Sequence, residues 1–348
     1  MKEMLARRYP DAEFYFMGRS EGMERELVAR EGIPFIPVRA LGLRRSLSPQ
    51  NLRAALLAIT EPYRLKRIIG ELSPSLVLGT GGFVSYPVIK AASLAGVPAI
   101  LHESNAIPGL AVKLCEGLTA RVLLQFESCA THLRYPERAA VIGAPVRGGF
   151  QGTEKLWARR SLGISPSSFF ILSFGGSLGA EALNAACLSV MQRYGKTEKP
   201  LLFIHGCGRR HYDALRTQYP LSSPKTVLLP YINDMPLYMA AADIVIARAG
   251  AMTLSEIAAC GKASILIPSP YVAEDHQNRN AAYFRERGAS LVLEEKALSP
   301  ERLYEAIEGL RRSPSRLLEM ERAAASVFAY DTEALFLAEA ENAMRHPV

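Results

Sequence analysis

The stretch DIVIARAGAMTLSEIAACG, from Asp243 to Gly261, decides the fold. Asp243 to Ala247 is a short apolar run of β-branched residues, the composition of a strand covered on both faces. Gly250 marks a sharp turn that a residue with a Cβ would resist. Met252 to Cys260 has helical spacing, and Gly261 stands where helices commonly end. A helix that starts beside the carboxyl end of a parallel strand offers free N–H groups and a positive dipole end, so anions settle there. Thr253-x-x-Glu256 also fits a capping box, in which the two side chains only close the helix end. The stretch by itself leaves both readings open.

The pattern occurs a second time. Leu76-Val-Leu-Gly-Thr-Gly-Gly82 aligns with Ile244-Val-Ile-Ala-Arg-Ala-Gly250, and each run leads into a helix, a glycine and another strand. Further strands are expected at 12–17, 99–101, 121–124, 140–142, 169–174, 201–205, 226–229, 263–267 and 290–293, alternating with helices. A long helix is expected at 51–72, with a break near Pro62. The alternation implies an α/β protein of two Rossmann-like, doubly wound domains facing each other across a cleft. Ligands in such folds sit beyond the carboxyl ends of the strands. A length of 348 residues suits two domains. Gly143-Ala-Pro-Val-Arg147 reads as the linker, giving domains 1–146 and 147–331, with the helix at 332–348 crossing back onto the first. The chain begins on a helix end with no strand before it.

Hydrophobic residues make up 49% and charged residues 22%, which excludes a disordered chain. Cys115, Cys129, Cys187, Cys207 and Cys260 are scattered without a C-x-x-C pair. That argues against a zinc site or disulfide framework and suits a reducing compartment. No apolar run reaches ~18 residues, so no membrane span is expected, and no signal peptide is visible. The net charge of +7 is unevenly spread. Arg39, Arg44, Arg45, Arg53, Arg64, Lys66 and Arg67 face a single Glu61, with Leu56, Leu57 and Ile59 among them. Such a segment can lie on an anionic membrane surface. Composition alone leans toward the simpler reading, a solvated basic helix face.

Phe174-Gly-Gly-Ser-Leu-Gly179 is another strand–glycine–helix junction. Gly175 and Gly176 allow close backbone approach and Ser177 can donate a hydroxyl hydrogen bond, which suits a phosphate. It is neither a Walker A loop nor a G-x-G-x-x-G fingerprint. Two such junctions in one domain can share a ligand, one holding a diphosphate and the other a nucleoside whose ribose hydroxyls donate to Glu256. Gln277 can bind sugar hydroxyls, although its spacing alone favours hydration. His102 and Glu103 follow a strand end, where catalytic groups often sit, but a lone His or Glu is more often structural. No D-x-D motif is present, so no metal or other cofactor is implied, and leaving-group charge falls to helix dipoles, N–H groups and Arg147.

Taken together, GTGGFVSYP, HESNAIPG, GAPVR, FGGSLGA, PYINDM, RAGAMTLSEIAACGKASILIP and EDHQNRNA resemble the MurG family of bacterial UDP-N-acetylglucosamine transferases, within glycosyltransferase family 28. The motifs come in family order over nearly the whole chain. The resemblance implies the GT-B fold and peripheral residence on the cytoplasmic face of the cell inner membrane. It implies inverting transfer of N-acetylglucosamine from UDP to the 4-hydroxyl of undecaprenyl-diphospho-muramoylpentapeptide (lipid I), giving lipid II for peptidoglycan. It maps nucleotide-sugar contacts onto Asn105, Arg147, Ser177, Ile232, Ala251, Met252, Thr253, Leu254, Ser255, Glu256 and Gln277. The acceptor side maps onto Gly79, Thr80, Gly81 and Gly82 and the His102–Asn105 region. The implied partners are UDP-N-acetylglucosamine, lipid I, an anionic membrane surface and other cell-wall synthesis proteins, with no nucleic acid.

The sequence departs from the family at two places. His102-Glu103-Ser104-Asn105 replaces the family's H-E-Q-N, and the shorter Ser104 would alter the acceptor pocket. The family also opens with a strand and a glycine-rich loop carrying a His, and this sequence starts after both. His102 or Glu103 is then the base expected on the acceptor side, with slow transfer and an unstable first domain. Two other functions fit the same residues: a UDP-sugar epimerase of this fold, and a UDP-sugar-binding remnant with impaired catalysis.

Overall fold

Strand and helix alternate throughout the computed structural model, which describes residues 1–21, 23–42, 48–146, 148–176, 180–221, 223–327 and 331–345. The chain divides into two units, Met1–Pro145 with Tyr330–Val348, and Val146–Ala329. The first unit runs α1 (Lys2–Arg8), β1 (Phe16–Gly18), α2 (Met23–Arg30), β2 (Phe35–Pro37), α3 (Pro49–Leu72), β3 (Val77–Gly79), α4 (Ser85–Ala95), β4 (Ala99–Glu103), α5 (Leu110–Cys115), β5 (Arg121–Leu124) and β6 (Ala139–Val141). β3, β4, β5 and β6 pair side by side in that order, all parallel, and β1 and β2 form a separate parallel pair.

Two expectations for this unit change. Of the strand expected at 12–17, only its last two residues join β1. The ladder starts where Phe16 N–H donates to the Pro34 carbonyl at 2.9 Å, and Pro34 has no N–H with which to extend it. α3 runs unbroken through Pro62. Pro62 is buried, and Leu65 and Ile69 join a core with Val88, Ile89 and Leu101, so packing outweighs the one hydrogen bond a proline forfeits. Glu61 is buried beside it, pairs with Arg64 and accepts from the Arg39 N–H at 2.8 Å. Arg64 is therefore committed to the fold rather than to a basic surface.

The second unit runs α6 (Lys155–Ser161), β7 (Phe169–Phe174), α7 (Glu181–Gly195), β8 (Leu201–Gly206), α8 (Tyr212–Gln218), β9 (Thr226–Leu229), α9 (Met235–Ala241), β10 (Ile244–Ala247), α10 (Ala251–Ala259), β11 (Ala263–Leu266), α11 (His276–Glu286), β12 (Ser290–Val292), α12 (Pro300–Arg311) and α13 (Pro314–Val327). Its six strands are parallel in the order β12-β11-β10-β7-β8-β9. The chain winds outward from β7 in one direction and from β10 in the other, the doubly wound arrangement. Ile171, Phe203, Ile244 and Ile265 on the sheet pack against Leu183, Cys187 and Met191 of α7 and Leu303 and Ile307 of α12. α14 (Thr332–Arg345) belongs to the first unit. Phe336 and Ala340 pack there on Ile100 and Leu123, and Glu333 and Glu339 pair with Arg7 and Arg121 at 2.7 and 2.9 Å.

Candidate active site

In the second unit the winding reverses between β7 and β10, which pair with Phe174 opposite Ala247. Loops leaving such strands diverge to opposite faces and leave a crevice beyond the carboxyl ends. Gly175-Gly176 and Arg248–Gly250 both open there. Gly176 has φ +89°, which side chains rarely tolerate. Gly250 corrects an expectation: as N-cap of α10 it has φ −68° and ψ 141°, a conformation open to any residue. An added Cβ would meet nothing nearer than Thr253 Oγ1 at 3.9 Å, so the glycine keeps room beside Thr253 rather than permitting the turn. The capping box fails on the same geometry. Thr253 is the third residue of α10 rather than its N-cap, and the N-cap is Gly250, which has no side chain to cap with.

Within the mapped run, Leu254 and Ser255 are buried, and Ser255 Oγ donates to the Ala251 carbonyl at 2.8 Å. Ala251, Thr253 and Glu256 are half-buried and Met252 is exposed. The entry to α10 is pinned from three sides. Arg248 donates to the Ile267 carbonyl at 3.0 Å and pairs with Glu295, and buried Asn280 donates from Nδ2 to the Ala249 carbonyl at 3.2 Å. Sequence reasoning misses Arg248 and Asn280. The available signal for Asn280 is a polar residue in the buried stripe it shares with Ala281, Tyr283 and Phe284.

Gln277 lies in the first turn of α11, and its Oε1 accepts from the Ser269 N–H at 2.8 Å. It is thus fixed across the loop after β11, not simply hydrated, with its amide N–H groups as donors. Glu274 and Asp275 just before it have left-handed backbones, φ 52° and 55°. Successive non-glycine residues in that region are strained, and such strain concentrates at ligand sites. Ile232 is buried over Gly206, where an added Cβ would lie 3.0 Å from Ile232 Cδ1. Arg147 and Ser177 lie outside the described residues.

In the first unit β3 and β4 are neighbours, with Gly79 opposite Leu101, so the acceptor-side loops leave adjacent strand ends. A Cβ at Gly79 would come within 2.7 Å of Leu101 Cδ1. Thr80 is exposed, Gly81 and Gly82 have φ +83° and +74°, and Ser85 Oγ closes the turn by donating to the Gly81 carbonyl at 2.5 Å. Glu103 Oε1 accepts from the Asn105 N–H and Nδ2, both at 2.9 Å, and Oε2 accepts from the Gly109 N–H at 2.8 Å. His102 and Glu103 are each only 4% exposed, and among the described residues His102 Nε2 has no hydrogen-bond partner. Burial lowers the His102 pKa to about 4, against the opposing pull of the Gly143 backbone. Glu103 has both oxygens occupied in holding the 104–109 loop, and His102 lies beneath the surface.

Residues 1–124 match the glycosyltransferase family 28 N-terminal domain, and residues 170–336 match the family's C-terminal domain. The chain belongs to glycosyltransferase family 28. A relative from Desulforudis audaxviator, named UDP-N-acetylglucosamine--N-acetylmuramyl-(pentapeptide) pyrophosphoryl-undecaprenol N-acetylglucosamine transferase, is 38% identical over 92% of this chain and 87% of its own. One of the same name from Exiguobacterium is 39% identical over 88% of this chain and 84% of its own. The crystal structure of Acinetobacter baumannii MurG matches with a TM-score of 0.76 at 25% identity, covering 98% of this chain and 95% of that one.

The fold of this family 28 chain is GT-B, two Rossmann-like domains. Among the described residues, no group of three or more His, Cys, Asp or Glu side chains is placed to hold a metal ion. The cysteines are free, and burial pushes the thiols of Cys115, Cys129, Cys187 and Cys260 up to about 12, which keeps them unreactive.

Proposed function

We propose that this family 28 enzyme moves N-acetylglucosamine from UDP-N-acetylglucosamine to the 4-hydroxyl of undecaprenyl-diphospho-muramoylpentapeptide, giving lipid II and UDP. The observation that carries this reading is the match to transferases of that name across both halves of the chain. The acceptor hydroxyl oxygen bonds to the anomeric carbon as the bond from that carbon to the diphosphate breaks, with inversion; the electron pair leaves with UDP and the hydroxyl proton is lost to water. In the second unit, the amino ends of α7 and α10 meet the growing diphosphate charge with N–H groups and helix dipoles. Glu256 accepts from the ribose hydroxyls, Ile232 borders the base, and the Gln277 amide donates to the sugar. In the first unit the loops at 79–82 and 104–109 receive the acceptor.

Among the described residues, no helix is long and apolar enough to cross a membrane. α3 instead exposes Leu52, Leu56, Ile59 and Tyr63, whose spacing of four, three and four places them in one stripe opposite buried Ala54, Glu61 and Leu65. Lys66 and Arg67 flank that stripe, whereas Arg44 and Arg45 lie outside the described residues. With a lipid-linked acceptor, this pattern supports peripheral attachment, the stripe in the bilayer interface and the cations on anionic headgroups. The test of the reaction is UDP release. It should require both the UDP-sugar and the lipid acceptor, and release or conversion of the donor without acceptor would contradict transfer.

A further inference from the structure

The face of the second sheet that α7 covers carries a buried polar cluster at its carboxyl end. There Ser173 on β7 and His205 on β8 are register partners, and Ser173 Oγ lies 2.7 Å from His205 Nδ1. His205 Nε2 lies 3.0 Å from Asn184 Oδ1, and Asn184 Nδ2 donates to the Cys207 carbonyl at 3.1 Å. Ser173, His205 and Asn184 are at most 1% exposed. Only one proton arrangement satisfies the chain. Asn184 must turn its NH₂ toward the Cys207 carbonyl, so its oxygen faces His205 and Nε2 carries the hydrogen. Nδ1 is then an acceptor, and the Ser173 hydroxyl donates to it. Burial keeps the ring neutral, lowering its pKa to about 4. A polar cluster placed inside a core is costly unless every bond is made, so this one holds its members at fixed spacing.

Its location gives that spacing a use. Ser173 stands two residues before Gly175, and His205 adjoins Gly206, on which Ile232 rests. Asn184 is the fourth residue of α7. One imidazole therefore sets the exit of β7, the exit of β8 and the start of α7 relative to one another. We propose that His205, as its Nε2–H tautomer, is a positioning residue for the donor nucleotide, spacing the segments that border its diphosphate and base. This rests on the donor site described under Proposed function.

The test is calorimetric titration with UDP, well below the Tm of each variant. His205→Phe keeps a ring of similar shape and removes both bonds. His205→Gln restores a donor and an acceptor. Lys262→Met is the control for buried damage elsewhere: Lys262 Nζ donates to the Ala240 and Ala242 carbonyls at 2.7 and 3.1 Å, at the amino end of β10. His205→Phe and Lys262→Met should both lower Tm, but only His205→Phe should weaken UDP, by about tenfold, with His205→Gln recovering most of the loss. UDP affinity in His205→Phe within about twofold of the parent, or an equal loss in Lys262→Met, overturns the proposal. Should His205→Phe not fold, Ser173→Ala decides in the same way, a several-fold weakening supporting the proposal and unchanged affinity overturning it. A parent protein that binds no UDP removes the donor reading and this proposal together, whereas UDP binding that is indifferent to His205 removes this proposal alone.

Discussion

Glu103 Oε2 accepts a hydrogen bond from the Gly109 N–H at 2.8 Å, closing a six-residue span of loop on the acceptor side. Its other oxygen takes two donors from Asn105, so the carboxylate acts as a clamp. Glu103→Gln leaves an oxygen for Asn105 but sets an NH₂ against the Gly109 N–H, donor against donor, at a cost of about 1–3 kcal/mol. The expected outcome is a lower Tm and a raised KM for the lipid acceptor, with UDP affinity unchanged. A base would show an unaltered Tm, a kcat loss of ~10²–10⁴ and a missing limb in the pH–rate profile. That second pattern would return Glu103 to proton transfer.

Thr253 and Glu256 do not form a capping box, because Gly250 is the N-cap of α10. Glu256→Ala should leave the fold intact while weakening UDP about tenfold or more. The parent should also prefer UDP to its 2′-deoxy analogue, and the variant should lose that preference. Titration of both proteins with both nucleotides checks this, and a variant that keeps the preference would free Glu256 of any part in ribose binding.

The stripe on α3 predicts salt-sensitive attachment to anionic vesicles. Leu56 and Ile59 are 60% and 66% exposed, so the double substitution Leu56→Ser, Ile59→Ser should leave Tm in place while reducing co-sedimentation. Equal sedimentation of parent and variant, or binding indifferent to salt, would leave the stripe an ordinary solvated surface.

Glu308 predicts an acid limb in the stability of the second unit. Burial alone would raise its pKa, but hydrogen bonds from Arg311, Lys199 and Tyr194 outweigh that and bring it from the ordinary 4.5 down to about 2. A folded-state pKa below the unfolded one means stability that is fully present above pH 4.5 and lost as pH falls toward 2. Glu308→Gln should be less stable at neutral pH and should decline less over that window. Urea unfolding across a pH series checks this, and parallel curves for the two proteins would contradict it.

The two glycine junctions are legible in the sequence for a physical reason. Strands buried on both faces need largely apolar runs, here Phe169–Phe174 (broken only by Ser173) and Ile244–Ala247, and Gly176 answers a backbone that side chains resist. What spacing does not encode is long-range pairing. The length of β1 is set by Phe35–Pro37, and the passage of α3 through Pro62 is set by packing on α4 and β4. The clamp at Glu103 and the bonds of Asn280 and His205 depend on atoms brought close only by folding. Gly250 misleads in the other direction, since a turn residue is read as needing freedom when its backbone needs none.

The most direct measurement is structural analysis of the lipid product after incubation with UDP-N-acetylglucosamine and lipid I, by mass spectrometry and anomeric NMR. The account predicts one N-acetylglucosamine added through the muramyl 4-hydroxyl with inverted anomeric configuration, and one UDP released for each lipid II formed. A lipid that remains unchanged while the donor is epimerised, or is bound without reaction, would contradict it.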